Sequence, residues 1–132
     1  ELKAKKIVVG TPYLDEINTN EAEFLLAKGF EVLDIQGLNL ETGIEFGQVT
    51  GQYWKRFALE IDCADADAIF LSCGGIRSAE VAQEIEAVGG KPVITSNQAQ
   101  MWSCLRRAGI TDTIEGFGQI FSKPGATLLP SP

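Results

Sequence analysis

The 132-residue sequence contains no histidine and only three cysteines. The absence of histidine excludes histidine-based catalytic triads and His-rich zinc sites within this chain. Cys63, Cys73 and Cys104 are widely spaced, odd in number and lack the C-x-x-C spacing. We therefore expect no disulfide framework, no resident metal and a reducing, cytoplasmic setting.

Long apolar runs and basic clusters are also missing. No segment approaches the length of apolar sequence that a membrane span needs. The formal net charge of -7 argues against a nucleic-acid surface. The hydrophobic content of 45% and charged content of 22% are typical of a globular domain. We therefore expect no membrane and no nucleic-acid partner.

Four short apolar segments alternate with helical patterns along the chain. Predicted strands cover residues 6–11, 30–35, 68–73 and 91–96. Predicted helices cover residues 14–29, 53–64, 76–88 and 98–108. This alternation predicts a four-stranded parallel sheet with helices on both faces, which is a flavodoxin-like three-layer α/β sandwich.

The segments between and after these elements are less regular. The glycine-containing residues 36–52 are predicted as a long loop with a short helical turn. Residues 110–122 are predicted as a short closing segment. We therefore predict one α/β domain over residues 1–122, followed by a flexible, proline-containing tail over residues 123–132.

The third predicted strand ends in a cysteine followed by two glycines. Ligands of parallel α/β sheets bind at this carboxyl edge. We expect the helix to begin at once after Gly74 and Gly75, so that its amides favour negative charge on the Cys73 sulfur. The N–H groups of both glycines can hold an anionic substrate. The alternative at this point is a buried, structural Cys73.

Two further strand ends place polar residues at the same edge. Thr11 ends the first strand and Tyr13 follows it, while Thr95 and Ser96 end the fourth. The Tyr13 hydroxyl suits a carboxylate or a developing enolate, although a surface aromatic is the simpler interpretation. Thr95 and Ser96 also suit a helix N-cap.

Three other residues are assigned mainly structural roles. Cys63 and Cys104 lie on apolar faces of predicted helices and are expected in the core. Arg77 follows Gly75 closely and can reach an anionic substrate, but a solvated or salt-bridged arginine is the simpler interpretation.

Three segments together resemble the aspartate/glutamate racemase superfamily. They are residues 11–18 (Thr-Pro-Tyr-Leu-Asp-Glu-Ile-Asn), 72–75 (Ser-Cys-Gly-Gly) and 95–99 (Thr-Ser-Asn-Gln-Ala). The nearest branch contains the maleate cis-trans isomerases and arylmalonate decarboxylases. The resemblance covers residues 3 to about 122 and implies the second of two similar halves that face each other across a pseudo-two-fold cleft. A missing N-terminal half, or a second copy in a homo-oligomer, would then complete the pocket.

The resemblance also implies cofactor-free chemistry on a small dicarboxylate. Cys73 would be the catalytic residue, either as a thiolate that attacks the double bond of maleate or as a thiol that protonates a carbanion. Tyr13 would bind a substrate carboxylate, with Gly74, Gly75, Thr11 and Ser96 as further binding residues.

Different motifs favour different members of this branch. Residues 95–98 resemble the isomerases, whereas Cys73-Gly74-Gly75 resembles the decarboxylases. Isomerases carry an asparagine in the loop after the second strand, where this chain has Gly43. We therefore predict a maleate isomerase-like isomerase or racemase. One alternative is an arylmalonate-type decarboxylase that uses Cys73 as its sole proton donor. The other is a non-catalytic domain that binds a small acid.

Overall fold

A computed structural model describes residues 1–122, so the predicted tail lies outside the described residues. Four parallel strands form one sheet in the order β2-β1-β3-β4. The strands are β1 (Lys6–Thr11), β2 (Glu31–Gly37), β3 (Ala68–Leu71) and β4 (Val93–Thr95). The predicted positions of all four strands are confirmed, with β3 and β4 shorter than expected.

Helices cover both faces of this sheet, which confirms the predicted architecture. The helices are α1 (Asp15–Ala27), α2 (Gly43–Gln48), α3 (Gly51–Ile61), α4 (Ala82–Gly89) and α5 (Ser96–Arg107). A 3-10 turn, Ala79–Val81, precedes α4. Within residues 1–122, none of the helices has the length and apolarity to cross a membrane.

The alternation of strand side chains divides the core between the two faces. On one face, α3 and α4 pack against the central strands through a larger cluster that includes Trp54, Ile69 and Ile85. On the other face, Val9 and neighbouring strand residues pack against Leu25 of α1. This second face also carries an apolar groove of about 480 Å³ that reaches from α1 to α5. The first face therefore contains the larger part of the core.

The loop between β2 and α3 is more ordered than the glycine content indicated. Its predicted helical turn is α2, whose N-terminus is fixed by a capping box between Thr42 and Glu45. The side chain of Thr50 then accepts a hydrogen bond from the N–H of Tyr53 and begins α3 at Gly51. Two caps thus place a short helix above the carboxyl edge of the sheet.

The prediction of a helix directly after Gly75 was wrong. The chain turns over residues 74–78, and α4 begins only at Ala82. Ile76 and Ser78 are both buried in this turn. Glycine and serine favour turns over helix interiors, and burial of Ile76 anchors the turned conformation.

The placement of Cys63 and Cys104 in the core was also wrong, because both side chains are exposed. Cys63 lies beyond the end of α3 at Ile61. In α5 the buried positions are polar, namely Gln98 and Arg106, so the apolar pattern pointed to the wrong face. Modification of Cys104 therefore does not require unfolding.

A buried carboxylate connects three parts of the chain. Glu86 of α4 accepts one hydrogen bond from the N–H of Val93 at 2.9 Å and another from the N–H of Gln119 at 2.8 Å. Burial raises the pKa of Glu86, while the two backbone donors act in the opposite direction. Glu86 thus fixes the start of β4 and the closing segment to α4.

We predict that Glu86→Ala lowers the free energy of unfolding by about 2–4 kcal/mol, because one buried and one partly buried N–H group lose their acceptor. Urea denaturation checks this value. The control is Glu84→Ala in the same helix, where an exposed pair with Lys55 is lost and we expect a change below about 1 kcal/mol. Equal losses in both variants would contradict the structural role of Glu86.

Candidate functional site

The turn after β1 holds Tyr13 through buried polar groups. The Thr11 hydroxyl donates to the side-chain oxygen of Asn18 at 2.5 Å and accepts from the N–H of Tyr13 at 3.1 Å. The loop after β2 pairs with the same turn, since Leu38 and Asn39 donate to the carbonyls of Thr11 and Tyr13. Thr11 is fully buried, so its hydroxyl lies beneath the site and positions Tyr13.

Cys73 lies just beyond β3 in a backbone conformation that residues with a side chain rarely adopt. Its φ is +144°, and the residue is 9% exposed. The N–H of Cys73 donates to the Ser96 hydroxyl at 3.0 Å, and the N–H of Gly75 donates to the Cys73 sulfur at 3.3 Å. The side-chain amide of Asn97 donates to the carbonyl of Gly74 at 3.2 Å. The first turn of α5 therefore holds the Cys73 loop in place.

Tyr13 lies beside this sulfur and remains a neutral hydrogen-bond donor. Burial raises the pKa of Tyr13 above its ordinary range. The side-chain contact with Cys73 and the charge of Glu21 act in the same direction. The Tyr13 ring packs edge-on against Phe46 of α2, with ring centroids 5.8 Å apart. The phenol is thus held between the sulfur and the wall formed by α2.

Two side chains of this site were missed in the sequence. Glu21 lies on α1, where burial raises the pKa of its carboxyl group and the Ser72 side chain acts in the opposite direction; its charge contributes to the raised pKa of Tyr13. The available signal was spacing, because Glu21 lies three residues after Asn18 and four before Leu25, both of which are buried. Phe46 of α2 gave no comparable signal.

The surroundings of the sulfur differ from the predicted helix N-terminus. Ala82, where α4 begins, is nine residues beyond Cys73, so the local donor to the sulfur is the N–H of Gly75. Arg77 is half exposed and forms an ion pair with Glu80 at 3.1 Å. This confirms the salt-bridged alternative for Arg77.

The described residues offer no evident metal centre. Within residues 1–122, no three Cys, Asp or Glu side chains lie close enough together to hold a metal ion. The groups that converge at the sheet edge are a thiol, a phenol, a carboxyl and backbone N–H groups. Such a set can bind an anion, donate a proton or supply a thiolate nucleophile.

The backbone at Cys73 yields a stability prediction. A residue with a side chain at this φ costs about 1–3 kcal/mol, whereas glycine is ordinarily about 0.5–1 kcal/mol less favourable than alanine in a regular element. We therefore expect Cys73→Gly to be more stable than Cys73→Ala by about 1 kcal/mol in thermal denaturation.

The control for this prediction is the pair Ala22 and Ala22→Gly in the interior of α1, where the glycine protein should be the less stable one. If Cys73→Gly were likewise less stable than Cys73→Ala, the positive φ at position 73 would carry no strain.

Comparisons with known proteins agree with this fold. The chain is 27% identical to arylmalonate decarboxylase of Bordetella bronchiseptica, over 92% of this chain and 52% of the relative. It is 25% identical to maleate isomerase of Nocardia farcinica, over 95% and 50% respectively. The solved structure of the Nocardia farcinica maleate cis-trans isomerase superposes with a TM-score of 0.88 at 24% identity, over 92% of this chain and 50% of the other.

The chain therefore spans about half the length of the relatives it matches. The profile of the arylmalonate decarboxylase family matches residues 1–121, which is nearly all of the described chain. Both the predicted superfamily branch and the α/β architecture are thereby confirmed. By this match, the chain belongs to the arylmalonate decarboxylase family.

Proposed function

We propose that this chain forms one side of the active site of a cofactor-independent enzyme in which Cys73 protonates a carbanion next to a carboxylate. The substrate is a small dicarboxylate, and the reaction is a decarboxylation or a racemisation. The observation that carries the proposal is that the Cys73 sulfur accepts a hydrogen bond from the N–H of Gly75 and lies in the buried cluster against which Tyr13 packs.

In the decarboxylation, the bond between the α-carbon and one carboxylate breaks and its electron pair stays on the substrate. The resulting enediolate carries negative charge on oxygen, which the Tyr13 hydroxyl stabilises by donating a hydrogen bond. The thiol of Cys73 then gives its proton to the α-carbon and becomes a thiolate. The N–H of Gly75 stabilises that thiolate until solvent returns a proton.

A second candidate reaction is favoured by the same N–H group. Because the N–H of Gly75 donates to the sulfur at 3.3 Å, it can also stabilise the negative charge of a Cys73 thiolate that acts as a nucleophile. Such a thiolate can add to the double bond of a maleate-like dicarboxylate, allow rotation about the former double bond and then leave. This is the reaction of the isomerases, whose sequences residues 95–98 resemble.

The site is open on one side, and we propose that a second α/β unit closes it. Gly74 and Gly75 are exposed at the sheet edge, and the chain spans only half the length of its relatives. The second unit is either the other half of a longer chain or a second copy of this one. The three free thiols suit a cytoplasmic location.

Turnover by the native full-length protein tests the role of Cys73. We expect Cys73→Ser to lower the rate of carbon dioxide release from an arylmalonate about 10²–10⁴-fold, because the hydroxyl is a far weaker acid than the thiol. The matched control, Cys104→Ser, removes an exposed thiol away from the site and should retain the wild-type rate.

Assays with an arylmalonate and with maleate distinguish the candidate functions. Conversion of maleate to fumarate without decarboxylation would favour the thiolate route, and binding without any turnover would favour the non-catalytic domain. Full decarboxylase activity in Cys73→Ser would refute the proposed role of the thiol.

The Tyr13 hydroxyl gives a separate prediction. Tyr13→Phe keeps the edge-on packing against Phe46 but removes the donor to the enediolate, so we expect kcat to fall about 10²-fold. Steady-state kinetics of the full-length protein measure the effect. The control is Tyr53→Phe, which changes an exposed tyrosine. An unchanged kcat in Tyr13→Phe would assign the stabilising donor to another group.

A further inference from the structure

The side-chain amide of Gln98 lies at a junction of three segments. Its oxygen accepts a hydrogen bond from the N–H of Thr95 at 2.9 Å, and its nitrogen donates to the carbonyl of Phe117. The N–H of Gln98 also donates to the Thr95 hydroxyl at 3.2 Å, which completes a capping box at the start of α5. Gln98 is 2% exposed, so water does not replace these partners. One buried amide thus joins the end of β4, the start of α5 and the closing segment, residues 110–122.

The two partners of the amide require both of its polar atoms. The N–H of Thr95 needs an acceptor and the carbonyl of Phe117 needs a donor, whereas a carboxylate would supply only the acceptor. Glutamate would complete the capping box as well as glutamine does. The donor half of the Gln98 amide therefore holds the closing segment, which a helix cap alone does not require.

The closing segment approaches this amide closely. Gly118 has a φ of +82°, and a Cβ atom there would lie 3.3 Å from the Gln98 side-chain nitrogen and 3.1 Å from a carboxylate oxygen of Glu86. The same oxygen accepts a hydrogen bond from the N–H of Gln119 at 2.8 Å. Two buried side chains, one on α4 and one on α5, thus fix the backbone of residues 117–119.

The capping box also encloses the two residues that hold the Cys73 loop. Ser96 accepts a hydrogen bond from the N–H of Cys73 at 3.0 Å. The side-chain amide of Asn97 donates to the carbonyl of Gly74 at 3.2 Å. Because both residues lie inside the capping box, a shift of the box moves them. The position of the Cys73 backbone therefore depends on how firmly the closing segment holds the first turn of α5.

We propose that Gln98 is a positioning residue of the Cys73 site and couples the closing segment to the loop that carries the sulfur. It acts through Ser96 and Asn97, which contact that loop directly. The consequence for catalysis rests on the proposed function. The effect on the loop is a property of the chain itself and is measured without turnover.

The test is amide hydrogen exchange at the N–H groups of Cys73 and Gly75, followed by NMR. Gln98→Glu keeps the acceptor for Thr95 but loses the donor to Phe117, and Gln98→Met loses both at similar volume. We expect both amides to exchange about fivefold faster or more in Gln98→Glu, because loss of one hydrogen bond eases local opening. Exchange in Gln98→Met should be faster still.

Two controls separate this coupling from charge and from global stability. Gln100→Glu introduces the same charge on the exposed face of α5 and should retain wild-type exchange at Cys73. The N–H of Val9 in the central strand β1 reports global unfolding and should change less than that of Cys73. Equal acceleration at Val9 and Cys73 would overturn the proposal. Wild-type exchange at Cys73 in Gln98→Glu would also overturn it, since the cap alone would then hold the loop.

A second variant tests the link from the closing segment and leaves Gln98 in place, so it also serves if the Gln98 variants fail to fold. Gly118→Ala presses a Cβ atom on Gln98 and Glu86, whereas Gly116→Ala adds one at a φ of +92° with no atom of the described chain within 4 Å. We expect faster exchange at Cys73 in Gly118→Ala than in Gly116→Ala, and equal rates would overturn the proposal. In the native full-length protein, the expected exchange without any turnover would support the role of Gln98 and refute the proposed function.

Discussion

The geometry of the candidate site depends most on the hydrogen bond between the N–H of Cys73 and the Ser96 hydroxyl. This bond joins the end of β3 to the first residue of α5 and holds Cys73 at a φ that its side chain would otherwise avoid. The resulting turn brings the N–H of Gly75 onto the sulfur. A residue in an ordinary strand-to-helix connection would point its thiol elsewhere, so the chemistry of the site follows from this backbone.

The sheet and the principal site residues could be predicted because both follow from local pattern. Short β-branched and apolar runs mark the strands, and parallel strands must place their carboxyl ends at one edge. Cys73 and Tyr13 follow directly from that rule. Thr11 and Ser96 were also placed at the edge, but the sequence does not show that their hydroxyls bind backbone N–H groups beneath it. Strand position predicts location, and only packing decides which atom faces the ligand.

The remaining features depend on contacts between distant segments. Phe46 enters the site only because α2 folds back over Tyr13, and Ser96 does so only because α5 begins beside the loop that follows β3. The burial of Arg106 and the exposure of Cys104 likewise follow from the orientation of α5 on the sheet. A hydrophobic pattern read along one helix cannot settle that orientation when the buried face carries polar residues.

Two hydrogen-bond donors lie at the Cys73 site, and each suits a different reaction. The Gly75 N–H, which donates to the sulfur, suits a thiolate that adds to a double bond, whereas the neutral Tyr13 hydroxyl suits the enediolate that forms before protonation of carbon. Both kinds of chemistry therefore fit one fold with one cysteine, and small changes around it suffice to favour either. This explains in physical terms how a single chain can resemble isomerases in one motif and decarboxylases in another.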